Sequence, residues 1–513
     1  MSAMVRSIID SGMSGIVVEV ECHLSNGLPT IIIVGSASKA VDEAKERLRG
    51  AFASSKIKLP KRRITINLAP GDIPKDSAGL DVSMAAAIML AGGMTGNSDA
   101  DNSSMADSVV YIGELGLDGS IRSVRGIIGK LRSAKLHGIT RAYIPTTNLS
   151  QARLVTGLEL FPIPDLASFY RHATGVAPIV PVQADGAINR RTLAPGKQAI
   201  NMADVVGQSR AKRALEIAAA GNHNVLLNGP PGTGKSMLAK AMIGILPPMG
   251  SEEILEVTHL QSLANKDYET IVYTRPFRAP HHTASSISII GGGQKPKPGE
   301  ISLSHRGILF LDELLEFHRD TIEALRQPLE DRIISVARAA GSTIFPAQFL
   351  LVATTNPCPC GYFGTTHPCE CLPHQIIRYQ RKLSGPIMDR IDLYVEVEEV
   401  EHAHLLEDQQ AETSQTIAAR VAKARAIQKE RLNSPALLNS DMTNADIKRL
   451  ARLSPEAKNL IDQAAEKLQL SPRAYMRSIK VARTIADLDG SLAILSSHVA
   501  EALQYRQRQP VLV

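Results

Sequence analysis

Eight consecutive residues, Gly229-Pro230-Pro231-Gly232-Thr233-Gly234-Lys235-Ser236, have the composition and order of a phosphate-binding loop. The glycines let the backbone curl so that its N–H groups converge on an anion. Lys235 is placed to reach β- and γ-phosphates, and the Ser236 hydroxyl to ligate Mg²⁺. The context is right. The apolar run Asn224–Asn228 predicts a buried strand before the loop, and Met237–Met242 predicts a helix after it. The positive end of that helix would face the nucleotide. Gly229, Pro230, Pro231, Gly232, Thr233, Gly234, Lys235 and Ser236 are therefore the expected ATP-binding residues.

Three further segments carry residues suited to hydrolysis. Gly307–Glu313 is a hydrophobic strand ending in two acids, the first of which, Asp312, stands 77 residues after Lys235. Asp312 would hold Mg²⁺ through water, and Glu313 would orient and partly deprotonate the attacking water. Leu350–Pro357 predicts another buried strand, ending in Asn356, whose amide would sit near the γ-phosphate. Ser384–Asp392 carries Arg390 after a turn. Its plain reading is a surface salt bridge to Asp389 or Asp392; its sharper one is an arginine finger entering a neighbouring subunit's site. Arg473 opens a C-terminal helix, where it could touch the nucleotide in cis.

Four of the five cysteines, Cys358, Cys360, Cys369 and Cys371, cluster in a Pro/Gly-rich loop as two Cys-x-Cys pairs; Cys22 stands alone. Such a loop can fold back so that four thiolates meet one Zn²⁺. Reduced thiols and a disulfide remain the alternatives, and His367 or His374 could replace one sulfur. The adjacent pair His281-His282 makes poor co-ligands on regular structure, so a structural or interface role is expected.

The elements that must position these groups follow from pattern. At 513 residues the chain predicts about three domains. Residues 1–172 alternate strands (Gly15–Glu21, Thr30–Gly35, Arg63–Leu68) with helices (Val41–Ala53, Leu80–Leu90). Residues 93–108 read as a loop and 173–200 as a linker without periodicity. Residues 201–400 alternate strand and helix around the phosphate loop. Residues 401–513 read as a helical region, beginning with a polar helix over Glu401–Arg431. Two β-prone runs, Ile333–Ala337 and Ser342–Phe345, flank a small turn and predict a hairpin carrying Arg338. A solvated tip is the bland alternative for that arginine. The net charge of +6 permits a phosphate-backbone partner, whereas the absence of Trp argues against base stacking as the main mode. No apolar stretch is long enough to span a bilayer and no signal-peptide core is visible, so a cytoplasmic protein without membrane contact is expected.

In order and spacing these parts resemble an AAA+ ATPase. The stretch Arg275–Ser285, continuing through Gly291-Gly292-Gly293 and Pro298–His305, narrows the likeness. So does the closing segment from Arg473-Ala474-Tyr475 to Leu488. Together they are similar to the magnesium-chelatase clade, and to its bacterial ComM/YifB family, over essentially the whole chain. The resemblance implies an α/β protein: a Lon-protease-like α+β N-terminal domain, an AAA+ αβα core and a C-terminal helical lid. It assigns Lys235 and Ser236 to Walker A, Asp312 and Glu313 to Walker B, and Asn356 to sensor 1. It makes Arg390 the trans-acting finger, Arg473 the sensor 2 arginine and Arg338 a DNA contact on a pore hairpin. It also implies a homo-oligomer, expected as a hexamer, that drives branch migration of DNA during natural transformation. A chelatase ATPase subunit and a protein-remodelling ATPase are the competing readings. The segment Ile73–Gly79 is similar to the part of Lon that bears the proteolytic Ser, here Ser77, but is two residues shorter. Ile128 stands where Lon has its lysine, with Lys130 nearby. Without a base the hydroxyl is a weak nucleophile, so the domain is expected to be a non-proteolytic scaffold.

Overall fold

The computed structural model describes residues 2–35, 39–73, 75, 78–95, 108–186, 200–264, 269–293, 296–338, 341–383, 385–399 and 411–506. The chain is mixed α/β with a helical C-terminal region. It divides into two compact units, each discontinuous in sequence. The first comprises residues 1–192 together with 250–273 and 337–345; the second comprises 193–249, 274–336 and 346–513.

The first unit is built on an eight-stranded mixed sheet. Its strands are β1 (Ser2–Ser11), β2 (Ser14–Ser25), β3 (Thr30–Val34), β4 (Arg63–Ala69), β5 (Val109–Tyr111), β6 (Arg141–Pro145), β7 (Glu159–Ile163) and β8 (Val182–Gln183), in the order β8-β7-β6-β5-β1-β2-β4-β3. β1 and β2 form a tight antiparallel hairpin, Ser11 opposite Ser14, with Gly12 at a positive φ of 60° in the turn. The helix Asp81–Ala91 buries ten of its eleven residues. That explains why it is apolar all round rather than amphipathic. A helix from distant sequence, Ser251–Ala264, belongs to this unit. Its Leu255 joins a core cluster with Ile8, Ile127 and Leu131.

The second unit centres on a five-stranded, all-parallel sheet. Its strands are β9 (Val225–Asn228), β10 (Phe277–Arg278), β11 (Ile308–Leu311), β14 (Leu350–Thr355) and β15 (Leu393–Glu396); between β11 and β14 in the chain come β12 (Ile333–Arg338) and β13 (Gly341–Pro346), which pair separately as a hairpin whose residues 337–345 count with the first unit. The order is β10-β11-β14-β9-β15. β9, β11 and β14 begin as continuous apolar runs because both faces of a parallel sheet are covered. Neighbouring strands are in register, Leu311 beside Ala353 and Asn228 beside Thr355, so the loops that follow them open on one edge. That carboxyl edge is where open α/β sheets bind ligands. At Gly307 an added Cβ would lie 2.0 Å from the Pro276 carbonyl oxygen, so only glycine admits the entry into β11. C-terminal helices Ser414–Leu432, Asn444–Leu450, Pro455–Lys467, Pro472–Leu488 and Ser496–Gln504 pack in this unit. Four of them start at a side-chain cap, with Thr413, Thr443, Ser454 and Ser471 each accepting a bond from the amide three residues on.

Several expectations shift. β1 is a central strand that the sequence reading passed over, because its ends are polar and its apolar residues bunch in the middle. The expected linker begins inside folded structure: a helix runs to Ala173, Val182-Gln183 add an edge strand, and Ala184 is buried. The expected loop 93–108 and the remainder of the linker fall largely outside the described residues. Of the helix expected over Glu401–Arg431, the part from Ser414 is helical, with Thr413 as its cap, and residues 401–410 lie outside the described residues. The β12–β13 hairpin forms as expected, but its turn at residues 339–340 and the Arg338 side chain lie outside the described residues, as does Ser77. Lys130 is wholly buried and paired with Asp10, while Lys75 is buried with its ammonium donating to the Pro70 carbonyl.

Candidate functional site

The loop after β9 turns on two glycines in the left-handed region, Gly232 (φ 82°) and Gly234 (φ 83°), then opens directly into the helix Lys235–Ala241. Lys235 is folded back over the loop. Its ammonium donates to the carbonyls of Gly229 (2.5 Å) and Pro230 (2.8 Å) and to Asn356 Oδ1 (3.1 Å). Burial brings its pKa down to about 8, against the opposing pull of Asp312 and Glu313. Ser236 Oγ donates to Asp312 Oδ2 at 2.8 Å. Lys235 with Asn356 and Ser236 with Asp312 thus make two side-by-side hydrogen-bonded pairs at the ends of three neighbouring strands. The paired hydroxyl and carboxylate oxygens are the hard donors that Mg²⁺ prefers.

Thr354, one residue before the end of β14, ties the acids together. Its hydroxyl donates to Asp312 Oδ1 (2.6 Å) and accepts the Glu313 amide (2.9 Å). Glu313 itself has a left-handed backbone, φ 53°. Such a conformation is sparsely populated for a residue with a side chain, and it turns the chain sharply after β11. His282 Nδ1 lies 4.0 Å from Glu313 Oε2, and its ring lies against His281 at 4.1 Å between centroids, tilted by 33°. Within the motif that precedes them, Arg278 forms a two-pronged pair with Glu300 (2.5 and 2.6 Å). Arg275 clamps the Pro247 and Arg306 carbonyls.

Arg390 is not paired with Asp389 or Asp392. Asp392 is committed elsewhere: it accepts from Arg477 (3.0 Å) and the Asn224 amide (3.1 Å) and faces His223. The Arg477 guanidinium, with the hydrogen bond from His223 adding to it, holds its carboxyl well below the usual carboxylate range despite burial. Arg390 is 6 % exposed, and its guanidinium donates to the Pro386 carbonyl (2.6 Å) and to Glu330 Oε2. The other oxygen of that carboxylate, Oε1, accepts from Arg473 at 2.7 Å. Arg390 and Arg473 therefore meet on one glutamate. Among its described contacts Arg473 reaches Glu330, not a residue of the phosphate loop.

Comparison with known proteins gives this geometry a family. The magnesium chelatase ChlI family matches residues 201–405, its C-terminal family matches 411–506, and a further ChlI-subunit family matches 20–148. The chain is 40 % identical to competence protein ComM of Haemophilus influenzae, across 98 % of this chain and 97 % of that protein. It is 38 % identical to YifB of Escherichia coli, across 98 % and 96 %. The chain belongs to the ComM/YifB family of magnesium-chelatase-like AAA+ ATPases. A more distant likeness, 27 %, joins 60 % of this ComM/YifB-family chain to 88 % of the magnesium-chelatase 38 kDa subunit of Rhodobacter capsulatus. The family carries ATP and Mg²⁺ as its substrate nucleotide and cofactor. No helix among the described residues is long and apolar enough to cross a membrane.

In this ComM/YifB-family ATPase the loop after β14 leads from Asn356 straight into the cysteine cluster. Cys358, Cys360, Cys369 and Cys371 bring their sulfurs within 4.8 Å of one another. The closest pairs are 3.3, 3.6 and 3.7 Å apart. All four are free thiols. A tetrahedral Zn²⁺ with bonds of about 2.3 Å requires sulfurs about 3.8 Å apart, so the set fits that ion. His367 lies outside the cluster, edge-on to Tyr362. A cleft of about 1360 Å³ runs from Gly229-Pro230 and Asn356 past Phe363 of the cysteine loop to Asp389.

Sequence reasoning missed Thr354 and Glu330. The first could have been found, since a Thr-Thr pair ending a buried strand beside Asn356 is a polar cost that needs partners. Glu330 had no signal, for its partners lie 60 and 143 residues away.

Proposed function

We propose that this protein is an ATP-driven ring motor on DNA, most simply a hexamer, that drives branch migration of recombination intermediates when incoming DNA is integrated. What supports this best is the likeness to competence protein ComM along almost the full length of both chains. The chelatase-subunit likeness is weaker and leaves two fifths of this chain unmatched, so the DNA reading stands ahead of it.

In this reading ATP lies between subunits. Lys235 leaves its carbonyl partners for the β- and γ-phosphates, and Ser236 with Asp312 would hold Mg²⁺, which supplies charge neutralisation on the phosphates. Glu313 orients the attacking water and Asn356 sits beside the γ-phosphate. Arg390 and Arg473 act together on the nucleotide of the neighbouring subunit, stabilising charge in the transition state. The pairing of both arginines on Glu330 supports a shared destination for the two. Arg338, on the hairpin, touches the DNA backbone without reading bases. The cysteine cluster would hold Zn²⁺ in a closed structural site that fixes the loop following Asn356. The first unit serves as a non-proteolytic scaffold.

The decisive experiment is strand displacement or branch migration on a forked or four-way DNA substrate, with Glu313→Gln as control. ATP-dependent strand movement in the wild type, lost in the variant, is the expected result. ATPase activity indifferent to DNA, with no strand movement, would sink the motor reading.

A further inference from the structure

Glu330 closes the short helix Arg326–Asp331 and presents one carboxylate to two guanidinium groups that come from different parts of the second unit. Arg390 lies in the turn before β15, whereas Arg473 is the second residue of the helix Pro472–Leu488. The two arginines differ in freedom. Arg390 is buried and tethered by its bond to the Pro386 carbonyl, so its remaining edge is aimed at Glu330. Arg473 and Glu330 keep about half of their side chains exposed, at 47 % and 48 %. Solvent, or an anion arriving from solvent, can therefore reach this group.

We propose that Glu330 is a positioning residue for ATP hydrolysis: a carboxylate latch that holds Arg390 and Arg473 side by side and is displaced when the phosphate tail of an adjacent subunit's nucleotide takes both. The proposal rests on the reading that these arginines serve a neighbour's site. Its chemistry is competition for the same donors. A carboxylate brings one negative charge; a nucleotide triphosphate brings several, with more acceptor oxygens in the fork geometry guanidinium favours. The carboxyl of Glu330 is held below the usual glutamate range, chiefly by the hydrogen bond from Arg390, with Arg473 and Arg477 adding to it. It remains a charged competitor throughout the neutral range.

The latch has a second attachment. Two residues after Glu330, Arg332 adopts a left-handed backbone (φ 60°) and binds Asp441 at 2.9 Å, and β12 of the hairpin begins at the next residue. Release of Glu330 therefore leaves Arg332–Asp441 as the remaining side-chain tie at the carboxyl end of a helix that runs within two residues into the hairpin. A neighbour's nucleotide would be felt at the base of the element proposed to touch DNA.

The test is steady-state ATP hydrolysis by the full-length protein as Glu330→Gln, beside Arg390→Ala and Arg473→Ala. Removing the competitor should lower the KM for ATP by roughly 3- to 10-fold, the scale of losing one or two partly exposed ion pairs. Glu330→Asp, which keeps the charge on a shorter stem, should fall between the two and serves should the Gln variant not fold. A purely structural role would instead raise KM or lower kcat together with the melting temperature. Unchanged or raised KM in both Glu330 variants, with both arginine variants inactive, overturns the latch alone. Wild-type turnover in both arginine variants overturns the shared-site reading, and the latch with it.

Discussion

Lys235 carries a titration that can be read directly. Burial lowers its pKa to about 8, so in the nucleotide-free protein it begins to lose its proton just above neutrality. Phosphates need the ammonium form, and binding them raises the pKa again. ATP affinity should therefore hold steady below about pH 8 and fall as pH rises beyond it, with proton uptake accompanying binding in that upper range. Titration calorimetry at pH 7 and pH 9, in buffers of different ionisation enthalpy, reads both; affinity flat across that interval would contradict the assignment. Thr354 offers a second prediction at this scale. Its hydroxyl is the shared partner of the Asp312 carboxylate and the Glu313 amide. Thr354→Val removes both bonds at nearly constant volume and leaves the acids loosely held. Hydrogen bonds to charged groups contribute about 1.5–3 kcal/mol, so kcat/KM should fall roughly 10- to 100-fold while ATP still binds. Nucleotide affinity measured alongside turnover separates this from a folding defect.

Among the elements, the single loop between β14 and the helix Pro373–Gln380 carries both Asn356 and the four cysteines. If Zn²⁺ closes that loop, the purified protein should contain one ion per chain, and Cys369→Ser should lose it and melt several degrees lower. Elemental analysis with a thermal melt checks this; wild-type protein free of zinc would reduce the cluster to ordinary thiols. The contrast with other elements shows what a sequence can disclose. The cysteines, the Gly-rich loop and the acid-tipped strand β11 were legible because their chemistry is local: the residue types that act stand next to one another. The helix Pro472–Leu488 was readable to the residue, since Ser471 caps it and Pro472 fits its first turn. β1 was not, because its burial is dictated by β2 and β5 on either side rather than by alternation. Glu330 was equally hidden. On its own helix it is one acid beside another, and only the distant Arg390 and Arg473 give it meaning.

At the scale of the whole molecule, sequence order and spatial membership part company. Residues 250–273 and 337–345 lie within the ATPase part of the chain yet fold with the first unit. Leu255 fills that unit's core, and buried His259 faces the Met13 carbonyl, its pKa lowered by burial to about 4. Gln151 and Ser123 bond to Thr270 and Glu269 from the same insertion. A fragment ending at residue 186 would therefore expose the face of Ile127 and Leu131 that Leu255 covers. It should aggregate, or bind a hydrophobic dye and melt without cooperativity, while the full chain does neither. A soluble, sharply melting fragment would show the insertion to be dispensable.

The threading has a mechanical corollary. The chain passes between the two units at five places, four of them the ends of the two insertions. A proteolytic nick in the segment 187–199 would remove one of these crossings and leave the others intact. After such a nick residues 1–186 would be a separate polypeptide, held only by packing on the two insertions, which stay joined to the second unit through peptide bonds. The insertions would then serve as dowels, keeping the severed piece seated without any bond to it.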